Sequence, residues 1–213
     1  MVFYKKIIMS KILLIGNGPS AIEKELGSRI DSDEFDKVVR FNRWKFNEDG
    51  SEYEKDHSKF VGTRCDYWVI NDLHLTETNL GINKRLYYEL VLVVMPNFKF
   101  NNNLVNEVEN NYPNIKFLRP ELENNVNQVI SFSPSWPSTG VIAMEFAIQN
   151  FDEVYLHGFD TYDIKYDTLH YFEGINETYG KNVFKFKKRK DHTPEKELQY
   201  IDHIIKNHNV KFL

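Results

Sequence analysis

The spacing of apolar positions along the chain predicts strands that alternate with helices. Seven short apolar runs have the length of buried strands, at residues 11–15, 37–42, 66–70, 91–95, 115–118, 153–157 and 209–212. Segments of helical period lie between them, at residues 20–26, 101–111, 138–150 and 194–208. Alternation of this kind is typical of a parallel sheet with crossover helices. The predicted fold class is therefore α/β.

Length, charge and cysteine content narrow the class of protein further. A chain of 213 residues with 41% hydrophobic positions can bury one core, which predicts a single domain over residues 1–213. The net charge of -4 lacks the basic footprint of nucleic-acid binding. The single cysteine, Cys65, excludes an intrachain disulfide and favours a reducing, cytoplasmic compartment. Lysines interrupt the apolar N-terminal residues, which predicts a first strand rather than a membrane span. Met1 and Met9 each fit as the native start.

The sequence GNGPSA, residues 16–21, follows the first predicted strand and opens a helical segment. Its glycine spacing is that of a dinucleotide-binding turn, where backbone N–H groups and the helix dipole favour phosphate. A glycine turn with a purely structural role is the alternative interpretation. The candidate ligand-binding residues of this turn are Gly16, Asn17, Gly18 and Ser20.

Two features of the chain argue against NAD as the ligand of that turn. The second strand ends in Arg40, Phe41 and Asn42, without the carboxylate that binds the ribose of NAD. Pro19 removes one N–H donor that a pyrophosphate would use. Arg40 still suits the 2′-phosphate of NADP, so an NADP-dependent reductase stays as an alternative.

Asparagines follow three successive predicted strands, at Asn17, Asn42 and Asn71. A side-chain amide carries both donors and an acceptor, which suits a neutral base or a ribose. Each could instead serve as a cap or turn residue. Their recurrence at successive strand ends favours a shared ligand at one edge of the sheet.

Small polar residues open the predicted helix over 138–150. Ser138, Thr139 and Gly140 leave N–H groups and hydroxyls at the helix start, a site suited to phosphate or carboxylate. An ordinary N-cap explains the same residues without a ligand.

His192 directly precedes the last predicted helix, in which Thr193 is the N-cap and Pro194 the first helical residue. The positive end of a helix dipole disfavours imidazolium, so a neutral imidazole able to accept a proton is expected there. A solvated loop histidine is the alternative. The apolar face of this helix is predicted to contain Leu198, Ile201, Ile204 and Ile205.

A long segment without clear period, about 161–191, follows the sixth strand and is the predicted lid. The loop over 157–173 carries phenol, imidazole and carboxylate groups. Its phenol hydroxyls can donate to a departing phosphate, and a tyrosine-rich loop that packs as a satellite core is the alternative. Its candidate residues are Asp160, Tyr162, Tyr166 and His170. The basic run over 181–190 fits a solvated face, a clamp on an anionic donor, or a weak peripheral contact with the inner face of a membrane.

Asp31, Ser32 and Asp33 form the D-x-D pattern that holds a divalent ion in many nucleotide-sugar enzymes. Their place in an acidic turn before the second strand suits a solvated connection better. We therefore predict no metal site.

Four segments in this order resemble the motifs of the sialyltransferases, glycosyltransferase families 29 and 42. LLIGNGPSA, VVRFNRW and CDYWVIN are similar to the large motif, and PSTGVIAMEFAIQNFDEVYLHGFD to the small one. HYFE resembles the third motif, and the spacing from His192 to Glu197 the very small one. The GNGPS form and the HGFDTY loop are closer to family 42, whereas PSTG, HYFE and H-x4-E are closer to family 29.

The resemblance implies a Rossmann-like doubly wound, mostly parallel sheet with helices on both faces and a lid loop. It also implies an inverting, metal-independent transfer of sialic acid from CMP-sialic acid to a glycan hydroxyl, with no cofactor. Asn17, Asn42 and Asn71 would contact the nucleotide, and Ser138, Thr139 and Gly140 the phosphate or sugar carboxylate. His192 would be the general base. Because charge grows on the phosphate as it departs, Tyr162 and Tyr166 would stabilise it, with help from His170 or from the helix start at Ser138.

Three alternatives stay open at this point. A transferase that uses CMP-Kdo or another CMP-nonulosonic acid would make the same cytidine contacts. A non-catalytic nucleotide-binding module would need no base, and an NADP-dependent reductase would use Arg40. A homo-oligomer stays open as a further partner, besides the CMP-sialic acid donor and the glycan acceptor.

Overall fold

The computed structural model describes residues 10–44, 55–72, 88–160 and 193–213. Seven parallel strands form one sheet with the order β5-β4-β3-β2-β1-β6-β7. The strands are β1 Lys11–Ile15, β2 Lys37–Phe41, β3 Tyr67–Asn71, β4 Leu90–Val94, β5 Ile115–Phe117, β6 Glu153–His157 and β7 Val210–Phe212. All seven predicted strands are confirmed, with ends that differ by about one residue.

The described ranges contain six α-helices and two 3-10 turns, at Pro19–Ile22 and Asn97–Lys99. The helices are α1 Gly27–Ile30, α2 Ser58–Val61, α3 Asn102–Asn111, α4 Pro120–Val129, α5 Thr139–Asn150 and α6 Pro194–Asn207. The predictions of α3, α5 and α6 are confirmed. The predicted helix over 20–26 is wrong, because the chain leaves the helical path and the Leu26 N–H donates to the Phe60 carbonyl at 3.3 Å.

Helices cover both faces of the sheet. Ile12 and Leu14 of β1 pack with α4, α5 and α6, whereas Leu13 and Ile15 face the layer that contains Ile30 of α1 and Val61 of α2. Helix α3 covers the same opposite face further along, at β3 to β5. Burial on both faces explains why the strands are nearly continuous apolar runs. The doubly wound α/β fold is therefore confirmed.

The buried face of α6 differs in part from the predicted one. Ile201 and Ile204 are buried, but Leu198 is 48% exposed, so its predicted place in the core is wrong. Tyr200 is fully buried instead, and Glu197 is only 5% exposed. Residues 197, 201 and 204 form one helical stripe, and 198, 201 and 205 form a second one rotated from it by roughly 70°. Packing on the sheet selects the first stripe although it contains a carboxylate.

The strand order reverses at β1, since the chain builds the sheet outward from β1 to β5 and then returns to place β6 on the other side of β1. In open α/β sheets, ligands bind at this switch point, beyond the carboxyl ends of the strands. Helices α5 and α6 lead into β6 and β7, so their N-termini lie at the same edge. The topology thus brings the predicted site segments together.

Candidate active site

The glycine turn after β1 packs directly on the loop after β6. The Gly16 N–H donates to the His157 carbonyl at 2.7 Å, and the Gly18 N–H donates to the Gly158 carbonyl at 2.9 Å. A Cβ added to Gly16 would lie 2.4 Å from the Gly158 oxygen. Glycine at position 16 is therefore required for the close approach of two loops at the switch point.

A carboxylate of the protein occupies the start of the 3-10 turn. Asp160 Oδ2 accepts a hydrogen bond from the Ser20 backbone N–H at 2.8 Å. The Gly16 and Gly18 amides are also bonded within the protein, so three N–H groups of the turn are already paired. A ligand role for Gly16, Gly18, Ser20 and Asp160 stays a prediction, and it has to involve other atoms.

Asn17 presents a buried acceptor at this edge. Its Nδ2 donates to the Phe41 carbonyl at 3.1 Å, which fixes the orientation of the amide. Its Oδ1 is buried and has no hydrogen-bond partner within the described part of the chain. Leaving a buried acceptor unpaired costs about 1–3 kcal/mol. This arrangement suits a ligand that donates an N–H or O–H group to Asn17.

Asn42 and Asn71 lie beside Asn17 at the ends of β2 and β3. The Asn71 N–H donates to Asn42 Oδ1 at 3.2 Å. Asn42 also accepts from Trp68 Nε1 through its carbonyl at 2.7 Å and adopts a left-handed conformation with φ of 46°, which asparagine tolerates better than most residues. The predicted grouping of three asparagines is thus present, and Asn42 additionally holds the turn between two strands.

Ser138 is the N-cap of α5. Its Oγ accepts from the Val141 N–H at 3.4 Å and donates to Glu197 Oε2 of α6 at 3.1 Å. Thr139 is the first residue of the helix. At Gly140, an added Cβ would lie 3.0 Å from the ring of Phe159, so the aromatic ring packs against the helix start. The N-cap interpretation is confirmed, and a ligand role for the three residues stays a prediction.

Glu197 is a site residue to which the sequence assigned no role beyond its place in a motif. Burial raises the pKa of its carboxyl group from 4.5 to about 7, although hydrogen bonds from the hydroxyl and backbone N–H of Ser138 favour the ionised form. The sequence contains a signal for this role, because Glu197 lies on the same helix face as the buried residues Ile201 and Ile204. A carboxylate on a buried helix face usually has a specific partner.

The starts of α5 and α6 are also joined by two hydroxyls. Ser135 Oγ lies 2.7 Å from the Oγ1 of Thr193, the N-cap of α6, and Pro194 is the first helical residue as predicted. His192 precedes Thr193 and lies outside the described residues. So do the predicted lid and the remaining candidates of that segment, Tyr162, Tyr166 and His170.

Two further polar groups have structural partners. Arg40 is fully buried, and its guanidinium donates to the Arg64 carbonyl at 3.0 Å and to the Val61 carbonyl. Arg40 is therefore not placed to bind the 2′-phosphate of NADP, as the reductase alternative required. The Asp31 carboxylate of the D-x-D pattern accepts from the backbone N–H groups of Thr63 and Arg64 at 2.8 Å each. That carboxylate anchors the turn that leads into β3.

Nearly the whole chain matches one family model. Residues 9–209 match glycosyltransferase family 29 (sialyltransferase). The chain belongs to family 29. The resemblance seen in the motifs is confirmed for family 29. This sialyltransferase is a glycosyltransferase, so neither a binding module nor a reductase describes it.

A solved structure supports the fold of this sialyltransferase. A mammalian sialyltransferase in complex with Gal-beta-1-3GalNAc-ortho-nitrophenol is 19% identical and aligns with a TM-score of 0.61. The match covers 96% of this chain and 69% of the mammalian one. No curated protein sequence matches the chain significantly. Among the described helices, none has the length and apolar character needed to cross a bilayer.

Proposed function

We propose that this sialyltransferase transfers sialic acid from CMP-sialic acid to a glycan hydroxyl, with inversion and without a metal ion. The observation that carries the donor assignment is Asn17 Oδ1, a buried acceptor without a partner in the described residues at the switch point. A cytidine offers a base amine and ribose hydroxyls as donors. Asn42 and Asn71 lie at the adjacent strand ends and complete the nucleotide contacts.

Ser138, Thr139 and Gly140 bind the phosphate or the sugar carboxylate at the N-terminus of α5, where the helix dipole favours an anion. His192 takes the proton of the acceptor hydroxyl while that oxygen forms its bond to the anomeric carbon. The bond from the anomeric carbon to the phosphate oxygen breaks, and CMP departs with the electron pair from the opposite face. Tyr162, Tyr166 and His170 donate to the growing negative charge.

Metal independence is supported by the geometry at Asp31. Its carboxylate is held by the N–H groups of Thr63 and Arg64 and by the Thr63 hydroxyl at 3.0 Å, a structural role that accounts for the D-x-D pattern. We expect transfer to continue in the presence of EDTA. Loss of activity in EDTA, restored by a divalent cation, would refute this part of the proposal.

Thermal shift with CMP, UDP and NADPH tests the donor. We expect stabilisation by CMP alone, and Asn17→Ala should weaken CMP binding about tenfold because it removes one hydrogen bond to the ligand. Asn111→Ala, at an exposed position at the end of α3, is the matched control and should bind CMP like the wild type. Stabilisation by UDP or NADPH instead of CMP would overturn the assignment.

Turnover of CMP-sialic acid tests the base. His192→Ala should lose about 10²–10⁴ in rate, the usual contribution of a positioned base. His208→Ala, exposed at the end of α6, should keep its activity. Proton NMR of the first sialoside formed shows whether the anomeric configuration is inverted or retained. Comparison of the rates with CMP-Kdo and with CMP-sialic acid shows which donor the enzyme uses. A His192→Ala variant with full activity would exclude this residue as the base.

A further inference from the structure

Thr193, the residue before α6, does not cap its helix through its side chain. It occupies the N-cap position with extended backbone, but its hydroxyl accepts no hydrogen bond from the N–H groups of the described helix. The N-caps of α3 and α5, Asn101 and Ser138, do accept such bonds. Because capping by a threonine hydroxyl normally stabilises a helix, the different use of Thr193 requires an explanation.

The Thr193 hydroxyl bonds to Ser135 instead. Ser135 Oγ lies 2.6 Å from the Phe132 carbonyl oxygen and 2.7 Å from Thr193 Oγ1. A carbonyl oxygen can only accept, so the single hydroxyl proton of Ser135 is donated to Phe132. The Thr193 hydroxyl therefore donates to Ser135 Oγ. Two hydrogen bonds in series thus connect the start of α6 to a backbone carbonyl.

Phe132 is a fixed point for these two hydrogen bonds. Its side chain is fully buried in the core cluster that also contains residues of α4, α5 and α6. Its N–H donates to Asn127 Oδ1 of α4 at 3.0 Å. Because the side chain and the backbone of Phe132 are both held, a group that bonds to Ser135 is held relative to the core as well.

The same segment places the start of α6 relative to the start of α5. Lys196 Nζ donates to the Ser133 carbonyl at 3.0 Å, so a second bond joins the first turn of α6 to the segment that leads into Ser138. Thr193 directly follows His192 in the chain. Neighbouring Cα atoms are ~3.8 Å apart across a peptide bond, so a fixed Thr193 restricts where the preceding residue can lie.

We propose that Thr193, through its hydrogen bond to Ser135, positions His192 as the general base relative to the phosphate site at Ser138. The inference rests on the proposed function, which assigns the base to His192 and the phosphate to the start of α5. Thr193 is a positioning residue, since it acts through the base. Displacement of a catalytic group by about 1 Å can lower a rate about 10²-fold, so loss of this one hydroxyl should be measurable in kcat.

Steady-state transfer by Thr193→Val tests the inference. Valine keeps the branched shape of threonine but lacks the hydroxyl. We expect kcat to fall about 10–100-fold. The KM for CMP-sialic acid and the affinity for CMP should change less than about twofold, because the nucleotide contacts are intact. Thr193→Ser retains the hydroxyl and should recover most of the lost rate.

The folded fraction of each variant is checked by circular dichroism at the assay temperature. A hydrogen bond that only stabilises α6 would lower the melting temperature of Thr193→Val and leave its kcat unchanged. That result would refute the inference.

Thr193→Val in the His192→Ala background is the decisive comparison. A residue that acts only through the base has no effect once the base is removed, so the second substitution should change the rate less than about twofold. A further fall of about tenfold in that background would overturn the inference and leave His192 as the base. Full activity of His192→Ala would overturn the proposed function, and the inference with it.

Ser135→Ala keeps the inference testable if Thr193→Val does not fold. This variant removes the acceptor of the same hydrogen bond, so kcat should fall by a similar factor. Ser28→Ala, at an exposed position in α1, is the matched control and should keep the rate of the wild type. A folded Ser135→Ala variant with the kcat of the wild type would contradict the inference.

Discussion

Replacement of Glu197 by glutamine should change how the stability of the fold depends on pH. The glutamine amide keeps a hydrogen bond with Ser138 but cannot ionise. In the wild type, the folded pKa lies above the unfolded one, so the unfolded state binds fewer protons between those values. The contribution of Glu197 to stability is therefore fully present below pH ~4.5 and is lost as the pH rises through 7.

The size of this effect follows from the shift of the pKa. A rise from 4.5 to about 7 corresponds to about 3 kcal/mol, at roughly 1.4 kcal/mol for each pH unit. A helix N-terminus stabilises a carboxylate by only about 0.3–1 kcal/mol, so burial outweighs the dipole of α6. We expect the free energy of unfolding of Glu197→Gln, relative to the wild type, to increase by about 3 kcal/mol between pH 4.5 and pH 8.

Urea unfolding at pH 4.5, 6, 7 and 8, followed by circular dichroism, measures this difference. Thermal melts should show the same trend, as a relative gain of roughly 6–12 °C for a domain of this size. Glu195→Gln, an exposed glutamate on the same turn of α6, is the control and should follow the wild type. A difference between Glu197→Gln and the wild type that stays constant from pH 4.5 to pH 8 would refute the reasoning.

Three further predictions concern the packing around the site. Gly16→Ala puts a methyl group 2.4 Å from the Gly158 oxygen and should cost about 1–3 kcal/mol in urea denaturation; unchanged stability would contradict the close approach. Tyr200→Phe removes the phenol that donates to buried Glu145 and should lower the free energy of unfolding by about 1–3 kcal/mol, with an unchanged melting temperature as the contrary result. Burial lowers the pKa of His157, so stability that is present above pH ~6.5 is lost as the pH falls. The free energy of unfolding of His157→Gln should therefore fall less than that of the wild type between pH 6.5 and pH 5. An equally large fall in both proteins would contradict this prediction.

The features that the sequence determined by itself are those that depend on local patterns. Strands buried on both faces need continuous apolar runs, and their ends are marked by polar or glycine residues such as Gly16, Asn42 and Asn71. Both signals lie within a few residues of each other, so the seven strands and the row of asparagines can be read without tertiary contacts. The family motifs are local in the same sense.

Only the tertiary structure decided which groups meet. Asp160 bonds the Ser20 N–H across 140 residues, and Glu197 meets Ser138 across 59. These pairs exist because β6 returns beside β1 and because α5 and α6 pack on one face of the sheet. Burial of Glu197, which sets its pKa, is a property of that packing and not of the residue or its neighbours in the chain.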